Sequence, residues 1–503
     1  MRFGHLPGIG KNHDAVKMKT DVVLIRPPLT IERQDAKSLS FPLGLGYLSG
    51  VLEKEFSVKI IDCLAEGFRK EKSLGQRFFR YGLGPDKIKE RLSKLEPEIV
   101  GITCPFSIQF SDALEVCKAI KEENPLIKTV LGGAHPSSMP GEVLKEKQID
   151  FVILGEGEMS FLELCRRLLN NKSFREIDGL GYKENGEFRI NPKTHYIESL
   201  DSLPFPAREL FPMEVYFEVD SPHGILTRSR LSTNIVTSRG CPYDCIFCSV
   251  HTIWSHKYRV RSPENVILEM EQLKKRYSIQ EFQFEDDNLT LNKERAKKIF
   301  KLMIEKELNI QWTAPNGIAL WTLDEEMVKL MKESGCYKVA LGIESGDEFI
   351  LKKVIKKPLD LNIMPEKIGL LKKHGINSAA FFVVGFPQER KENLRNTFRL
   401  SSQLDVDNIH FYFATPYPGT RLRKLCQENN LLKNKSWREL KVSTLNIENR
   451  FLSEKEIKNM IRNSLLRFFT TKFLASPFKV IVFLIKRFRK EKRRFIFYIS
   501  RFR

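Results

Sequence analysis

The run Thr237-Ser-Arg-Gly-Cys-Pro-Tyr-Asp-Cys-Ile-Phe-Cys248 places three thiols, Cys241, Cys245 and Cys248, within eight residues. The Gly and Pro beside the first cysteine favour a tight loop. Thiolates are soft ligands that suit iron–sulfur clusters or zinc. Ordinary clusters and closed zinc sites use four protein ligands, and no fourth cysteine stands close by, so one metal position would stay open for a small molecule. The loop therefore predicts a catalytic metal centre.

The chain around this loop alternates strand and helix patterns from residue 232 to residue 415. Six β/α units of this kind predict a partial barrel, with an active site at the carboxyl ends of its strands, by analogy with the complete eight-stranded barrel. The predicted strands are Thr233–Ser238, Glu281–Glu285, Ile310–Ala314, Tyr337–Ile343, Ser378–Val384 and Asn408–Phe413. Polar, Gly or Pro residues follow each strand: the cysteine loop, Asp286-Asp287-Asn288, Asn316-Gly317, Gly342–Gly346, Gly385–Glu389 and Thr415–Gly419.

The cysteine spacing, with the aromatic Phe247 before the third cysteine, resembles the signature of the radical SAM superfamily. The resemblance implies that Cys241, Cys245 and Cys248 hold a [4Fe-4S] cluster whose free iron binds S-adenosylmethionine (SAM). Reductive cleavage of SAM would then release a 5′-deoxyadenosyl radical. A zinc knuckle completed by a distant ligand, or three buried cysteines, are the alternatives for the loop alone.

Further motifs at the strand ends match places where this superfamily contacts SAM. The resemblance assigns Glu344 to the ribose, Asp286 or Asp287 to the ammonium group of SAM, and the turn containing Gly385 and Pro387 to the adenine. Ser345, in the same motif as Glu344, is also expected among the cofactor-binding residues. Each motif has an ordinary structural alternative, because acidic residues also start helices and Gly-Pro pairs also make tight turns.

Residues 20 to 155 show a second strand–helix alternation, which predicts an α/β fold with a doubly wound parallel sheet. In such a sheet, ligands bind beyond the carboxyl ends of the strands. The predicted strands are Asp21–Arg26, Phe56–Asp62, Glu98–Thr103, Lys128–Gly132 and Asp150–Leu154, with helices near 43–55, 86–95, 110–122 and 141–147.

Motifs in this first region resemble the cobalamin-binding domain that precedes the radical SAM barrel in one large subfamily. They are Pro27-Pro28, Pro42–Leu48, Val100–Thr103, Gly132–Pro136 and Gly155–Glu158. The D-x-H-x-x-G motif that supplies a lower axial histidine is missing after the first strand. The cofactor would then sit base-off with its nucleotide tail near Thr103, Gly132 and Gly133, or cobalamin binding has been lost. His135 is interpreted as a structural or tail-contacting residue rather than an axial ligand.

The chain of 503 residues carries a net charge of +20, and the excess is concentrated at its C-terminal end. From Lys458 to Arg503 there are 14 Lys and Arg residues against one acid. An amphipathic pattern over 457–469 predicts a helix, and the apolar runs Phe478–Ile485 and Phe495–Ile499 are too short to cross a membrane. Basic and apolar residues together suit peripheral contact with an anionic membrane surface, or a helix packed on the barrel. A nucleic-acid partner is less consistent with this composition.

These patterns divide the chain into a leader (1–19), a cobalamin-binding-like domain (20–178), a linker (179–230), a radical SAM partial barrel (231–445) and a basic helical extension (446–503). Nine irregularly spaced cysteines indicate a reducing cytoplasm. We expect a cobalamin-dependent radical SAM enzyme, most simply a methyltransferase that methylates an unactivated carbon of a small or lipid-like molecule, served by flavodoxin or ferredoxin. The alternatives are a radical SAM cyclase or oxidoreductase, with or without cobalamin; a methylthiotransferase with a second cluster; and a non-enzymatic zinc-binding module.

Overall fold

The structure, a computed structural model, describes residues 19–219, 227–433, 436–475 and 477. Most of the predicted leader and both apolar runs of the C-terminal extension lie outside these ranges. Two parallel sheets organise the described chain, and each has the expected α/β arrangement.

The strands of the first region are β1 (Val22–Arg26), β2 (Leu29–Glu32), β3 (Val58–Asp62), β4 (Glu71–Leu74), β5 (Phe78–Tyr81), β6 (Ile99–Thr103), β7 (Lys128–Gly132), β8 (Phe151–Ile153), β9 (Leu180–Glu184) and β10 (Glu187–Ile190). Seven of them form the first sheet, in the order β10-β9-β8-β7-β6-β1-β3. Its four parallel pairings run from β3 to β8, and the hairpin β9-β10 continues the sheet antiparallel to β8. This hairpin lies in the segment that was predicted as the linker, and its pairing with β8 makes it part of the sheet.

Helices cover both faces of this sheet, which is why its central strands are almost continuously apolar. Alternate residues of β1 belong to two different cores: Val22 and Leu24 to one, Val23 and Ile25 to the other. A small antiparallel sheet, β2-β5-β4, lies beside it and was not predicted. The helices are α1 (Leu43–Leu52), α2 (Cys63–Glu66), α3 (Pro85–Leu95), α4 (Phe110–Glu123), α5 (Ala134–Ser138), α6 (Pro140–Leu144), α7 (Glu158–Leu169) and α8 (Met213–Val219).

The second sheet contains all six predicted barrel strands, each parallel to its neighbour and in chain order. Its strands are β11 (Ser232–Ile235), β14 (Glu281–Phe284), β15 (Gln311–Ile318), β16 (Cys336–Glu344), β17 (Asn377–Val384) and β18 (Asn408–Phe413). A two-stranded ribbon of β12 (Ser238–Arg239) and β13 (Arg259–Val260) flanks the cysteine loop. The helices are α9 (His251–Trp254), α10 (Pro263–Tyr277), α11 (Lys293–Glu305), α12 (Glu325–Glu333), α13 (Met364–Lys373), α14 (Lys391–Gln403), α15 (Arg421–Glu428) and α16 (Glu454–Ala475).

Local sequence signals explain where these helices start. The side chain of Ser262 accepts a hydrogen bond from the Asn265 N–H at 3.2 Å, and Pro263 takes the first helical position of α10. Asp324 caps α12 in the same way through the Met327 N–H at 2.8 Å. Such caps satisfy amide groups that have no partner inside the helix.

One predicted boundary is wrong. Asn316-Gly317 was expected beyond the third barrel strand, but β15 continues through it to Ile318 with a change of register between Ala314 and Ile318. Gly317 adopts a positive φ of 112° inside this irregularity, so a turn-forming dipeptide here serves as a bulge.

The amphipathic helix predicted near the C-terminus is α16, which packs on the outside of the barrel. Leu465 and Phe468 are buried in the main barrel core, and Lys472 pairs with Asp405 at 2.8 Å. Within the described ranges, no helix combines the length and apolar character that crossing a bilayer requires.

Candidate active site

The cysteine loop is fixed to the strand ends of the barrel by its central residue. The N–H of Ile246 donates to the carbonyl of Ile355 at 3.0 Å, and the carbonyl of Ile246 accepts from the N–H of Leu422 at 2.9 Å. The Ile246 side chain is buried in an apolar cluster with residues such as Val383 and Phe386. Two backbone hydrogen bonds therefore fix the centre of the loop, and its three cysteines remain partly exposed.

The sulfurs of the three cysteines do not all lie within 4.8 Å of one another. Among the described residues, the one set of three ligand atoms within 4.8 Å of one another is Asp244, His251 and His256. The sulfurs of Cys241, Cys245 and Cys248 therefore span a larger distance, whereas sulfurs around a tetrahedral zinc lie about 3.8 Å apart. This spacing is consistent with a larger iron–sulfur cluster.

Burial also makes these thiols poor nucleophiles unless a metal is present. Removal from water raises the pKa of Cys245 to about 11 and that of Cys248 to about 12, and it raises the pKa of Cys241 as well. A bound metal ion provides the positive charge that converts such thiols to thiolates. The donor set therefore fits a cationic cluster.

Glu344 reaches the site from a strained backbone position. It has a φ of +69°, in the left-handed region that few side chains adopt, and the β16-β17 register shifts between Gly342 and Glu344. Its Oε1 accepts a hydrogen bond from Lys357 Nζ at 2.8 Å. Strain of this kind costs about 1–3 kcal/mol, and it persists where the position of a side chain matters.

Lys357 is a site residue that the sequence interpretation missed. Burial lowers its pKa, but the charges of Glu344 and the Cys245 thiol outweigh burial and raise it. The ammonium group would lie only 2.9 Å from a Cβ built on Gly342, so it stands directly over the strand end. Its sequence signal was hidden, because Lys352, Lys353, Lys356 and Lys357 form an ordinary basic run.

The two neighbouring aspartates have separate roles. Asp286 is buried and accepts hydrogen bonds from Thr237 and Ser238, including 2.7 Å from Thr237 Oγ1 and 2.5 Å from Ser238 Oγ. Asp287 is exposed and makes no hydrogen bond within the described part of the chain. Desolvation by the surrounding protein and the charges of Asp286 and Glu285 raise the pKa of Asp287 to about 7. Asp286 therefore stabilises the start of the cysteine loop, and Asp287 is available to a ligand.

Ser345 is likewise used within the fold. Its side chain is completely buried, lies 3.1 Å from Thr397 Oγ1, and accepts the Asp347 N–H at 3.1 Å. The hydroxyl group of Ser345 is therefore engaged in contacts within the fold.

The predicted glycine turn closes the other side of the site. Gly385 has a φ of +87°, and a Cβ at this position would meet Leu445 at 2.7 Å, so only glycine fits. Glu389 holds the turn by accepting the N–H groups of Gly385 at 2.5 Å and Phe386 at 3.3 Å. Pro387 is buried, and Phe386 lies 6.2 Å from the ring of Phe247. The turn and the cysteine loop are thus in contact.

A second cavity of about 410 Å³ lies at the carboxyl ends of the first sheet. Its size is typical of ligand pockets. Gly132 lines it, and a Cβ there would meet nothing within 4 Å, so the backbone is open to a ligand. The remaining wall is mostly apolar, and the lining includes Arg26, Leu45, Thr103, Gly133, Gly155 and Phe161. These residues form a crevice that fits a flat or elongated group such as a nucleotide tail.

The crevice contains no histidine among its lining residues. His135 lies beside it, buried and hydrogen-bonded through Nδ1 to Ser107 Oγ at 3.0 Å, between the rings of Phe110 and Trp437. Burial and Arg423 lower its pKa to about 4. This packing is consistent with a structural residue and does not direct an imidazole into the crevice.

Barrel residues complete the wall of the crevice. Ile253 and Trp254, on α9 shortly after Cys248, both line it. The segment that carries the cysteines therefore runs directly into the wall of the first-domain cavity. The two candidate cofactor sites share one short stretch of chain.

Buried ion pairs lock the two domains together at this point. Arg239, two residues before Cys241, pairs with Glu156 at 3.0 Å and with Glu158 at 2.7 Å. Arg259 also pairs with Glu156 at 2.8 Å, and within the barrel Arg261 pairs with Glu269 at 2.5 Å. The side chains of Arg259 and Arg261 are both buried.

The other cysteines act as packing residues. Cys63, Cys104 and Cys117 belong to the core on one face of the first sheet, and Cys165 belongs to the core on the other face. Burial raises the pKa of Cys117 to about 12. Cys165 is separated from the others by the sheet, so these four residues do not offer the second cluster of a methylthiotransferase.

Comparison with known proteins identifies the families of both domains. Residues 235–401 match the family model of the radical SAM superfamily, and residues 33–165 match that of the B12 binding domain. The chain is 34% identical over 457 residues to the cytidylyl-2-hydroxyethylphosphonate methyltransferase of Streptomyces wedmorensis, with 85% of each chain covered. It is also 34% identical over 450 residues to an uncharacterized methyltransferase of Pyrococcus horikoshii, covering 89% of this chain and 92% of the relative.

Solved structures show the same fold. The cobalamin-dependent radical SAM enzyme OxsB, with aqua-cobalamin bound, superposes with a TM-score of 0.69 at 17% identity over 88% of this chain and 66% of its own. The methyltransferase TsrM of Kitasatospora setae, with cobalamin and a [4Fe-4S] cluster bound, gives a TM-score of 0.65 at 18% identity over 82% of this chain and 75% of its own.

Proposed function

The chain belongs to the radical SAM methyltransferases that carry a B12-binding domain, and from that premise we propose how its own residues share the reaction. Cys241, Cys245 and Cys248 would hold a [4Fe-4S] cluster, and the first-domain crevice would hold cobalamin. Together these cofactors supply reductive SAM cleavage and a transferable methyl group. The acceptor is an unactivated carbon of a small molecule.

The observation that carries this proposal is the wall shared by the two sites. Ile253 and Trp254 line the crevice, and Cys248 lies on the same segment. A group bound in the crevice would therefore face the cysteine loop across the domain boundary. Short separation between two reacting centres is what a group transfer between them needs.

The charged residues of the barrel mouth are suited to orient the polar groups of SAM. Asp287 is an exposed carboxylate that can accept from an ammonium group. Glu344 can accept from two ribose hydroxyls, and Lys357 holds that carboxylate in place or reaches the SAM carboxylate. The turn at Gly385 offers backbone groups beside the aromatic pair of Phe247 and Phe386.

The decisive experiment is an anaerobic assay of the reconstituted protein with a chemical reductant and SAM labelled in its methyl group. Formation of 5′-deoxyadenosine together with about four irons per chain supports one SAM-cleaving cluster. About eight irons would point instead to a methylthiotransferase. Zinc without iron would point to a binding module and contradict the proposal.

A cyclase or oxidoreductase remains the second candidate, because it would use the same cysteine loop. Its signature is 5′-deoxyadenosine formation with no label in the product. Loss of corrinoid absorbance from the purified protein, with SAM cleavage retained, would remove cobalamin from the proposal.

The acceptor and the partners are also part of the proposal. The relative from Streptomyces acts, by its name, on a cytidylyl phosphonate, which favours a hydrophilic small molecule here. A flavodoxin or ferredoxin would deliver the electron in a reducing cytoplasm. Reduction of the cluster by either protein in place of the chemical reductant tests this assignment.

A peripheral membrane contact is the second role that we propose for the C-terminal extension. Leu466, Phe473 and Leu474 are exposed on α16, and the strongly basic sequence follows this helix. We expect a chain that ends at Ala475 to lose binding to vesicles of anionic lipid while it keeps the core residues of α16. Equal vesicle binding by both chains would contradict this role.

A further inference from the structure

Inside the partial barrel, polar side chains of neighbouring strands lie at one height below the cysteine loop. We call this height the polar level. Gln283 on β14 and Thr313 on β15 are direct partners in the sheet register. Their neighbours in sequence, Phe282 and Trp312, belong to the core between the strands and the outer helices. Because side chains alternate along a strand, Gln283 and Thr313 point to the inner face.

The polar groups at this level are buried without hydrogen-bond partners. Gln283 and Thr313 are each 1% exposed, and neither amide atom of Gln283 nor the hydroxyl of Thr313 is paired with any described residue. Buried polar side chains are nearly always hydrogen-bonded, since an unpaired one is unfavourable. Two unpaired side chains side by side on one inner face indicate a place where a ligand supplies the missing partners.

The contrast with a similar residue nearby is clear. Thr322 is 3% exposed, and its hydroxyl reaches Thr290 Oγ1 at 2.7 Å and the Ala319 carbonyl at 2.6 Å. The described barrel therefore does satisfy a buried threonine where the residue is structural. Thr313 is different because its hydroxyl is aimed inward.

This level lies below the acidic pair at the barrel mouth. Gln283 precedes Asp286 by three residues, so it lies about 10 Å below the acidic pair along the strand. Lys338, the register partner of Thr313 on β16, continues the level across the sheet. A molecule held there would present its far end to the cysteine loop.

We infer that Gln283 and Thr313 bind a polar part of the methyl acceptor that has both hydrogen-bond donors and acceptors. A carboxamide and a hydroxyl together can donate and accept, which fits the edge of a nucleobase or the hydroxyls of a sugar and excludes a hydrocarbon lipid. The inference rests on the proposed function and names the chemical class of its substrate.

The first test is the stability of the full-length chain without added ligand. Gln283→Leu and Thr313→Val replace unpaired polar groups with apolar groups of similar shape, so each variant should melt at or above the temperature of the wild type. Thr322→Val is the matched control and should melt several degrees lower. Melting of Gln283→Leu and Thr313→Val as low as that of the control would overturn the inference.

The second test uses cytidine 5′-monophosphate and ribose 5-phosphate as probes of the reconstituted protein, at millimolar concentration. A base edge at this level predicts that the cytidine nucleotide alone raises the melting temperature. Equal shifts with both probes indicate sugar hydroxyls. In either case Gln283→Leu should weaken the effect about tenfold. No shift in the wild type, or the same shift in Gln283→Leu, would refute the subsite.

Failure of the subsite and failure of the proposed function can be told apart. SAM cleavage to 5′-deoxyadenosine by the wild type tests the proposed function without either variant. If the wild type cleaves SAM but the melting results go against the inference, only the subsite falls.

Discussion

The two candidate ligand sites of this protein are the barrel mouth and the crevice of the first sheet. They lie at equivalent places in their sheets but present different chemical groups to a ligand. Both lie at the carboxyl ends of parallel strands, as ligand sites of α/β sheets do. The barrel mouth presents thiols, Asp287, Glu344 and Lys357, which are groups that select by charge and coordination. The crevice of the first sheet presents glycine backbone and mostly apolar side chains, which select mainly by shape.

The difference affects how each site responds to a mutation. A charged site loses its function when one functional group is removed, even if the shape is unchanged. A shape-selective site loses its function when an atom is added, even if no functional group is removed. The two sites should therefore fail under opposite kinds of substitution.

Deletion of a ligand in the barrel mouth is the most severe change. We expect Cys248→Ala to abolish cluster assembly and SAM cleavage, because two thiolates cannot hold the cluster, while corrinoid binding is retained. Iron content, 5′-deoxyadenosine and the corrinoid spectrum measure these outcomes. Cys104→Ala, in the core of the first sheet, is the control and should keep the cluster; cleavage that survives in Cys248→Ala would disprove the ligand assignment.

Addition of atoms in the crevice is the complementary change. Gly132→Leu should fill the open space over the backbone and prevent corrinoid binding, with SAM cleavage intact. Gly141→Leu is matched to it, since a Cβ at Gly141 also meets nothing within 4 Å but lies outside the cavity. If the Gly132→Leu protein bound corrinoid as tightly as the Gly141→Leu protein, the crevice would not be the corrinoid site.

A change at the domain boundary tests whether the two sites depend on each other. Glu156→Gln leaves Arg259 without a carboxylate and Arg239 with only Glu158, and breaking a buried pair of this kind costs about 3–5 kcal/mol. We expect methyl transfer to fall more than SAM cleavage, along with a lower melting temperature. Glu55→Gln, in an exposed pair with Arg166, should change stability by less than about 1 kcal/mol.

A smaller effect is expected from the titration of Asp287. Its pKa is raised from 3.8 to about 7, so its ionised form is disfavoured in the folded protein. Stability linked to this group is therefore present at low pH and lost as pH rises from about 4 to about 7. Asp287→Asn should melt above the wild type at pH 8 and close to it at pH 4, and should bind SAM poorly. A constant difference in melting temperature across this range would rule out the raised pKa.

A site made of charged and metal-binding residues is easier to recognise from the sequence than a site that selects its ligand by shape. The three cysteines and Glu344 were predicted as site residues because few other roles suit them at that spacing, and their cofactor contacts stay a prediction. The six barrel strands were also predictable, since their apolar periods and polar ends recur regularly. Lys357 could not be recognised, because its function depends on a turn after Ile350–Ile355 that returns it to the strand end.

Long-range pairing was the other part that the sequence concealed. Arg239 and Glu156 are 83 residues apart, and the local sequence around neither residue indicates that they form an ion pair. Asp286 and Asp287 differ in their hydrogen bonding because only Asp286 faces Thr237. The sequence of two adjacent aspartates does not indicate which of them does so. The β15 bulge was missed for a related reason, because Asn-Gly is a turn signal wherever the backbone needs a positive φ.

The paired arginines and glutamates at the boundary limit how such proteins can be recombined. A chimera that takes its first domain from a distant relative would bring two guanidinium groups against an unmatched surface, unless the donor also supplies carboxylates at the positions of Glu156 and Glu158. Modular exchange in this architecture should therefore succeed only when the loop after β8 and the ribbon around the cysteines are inherited together.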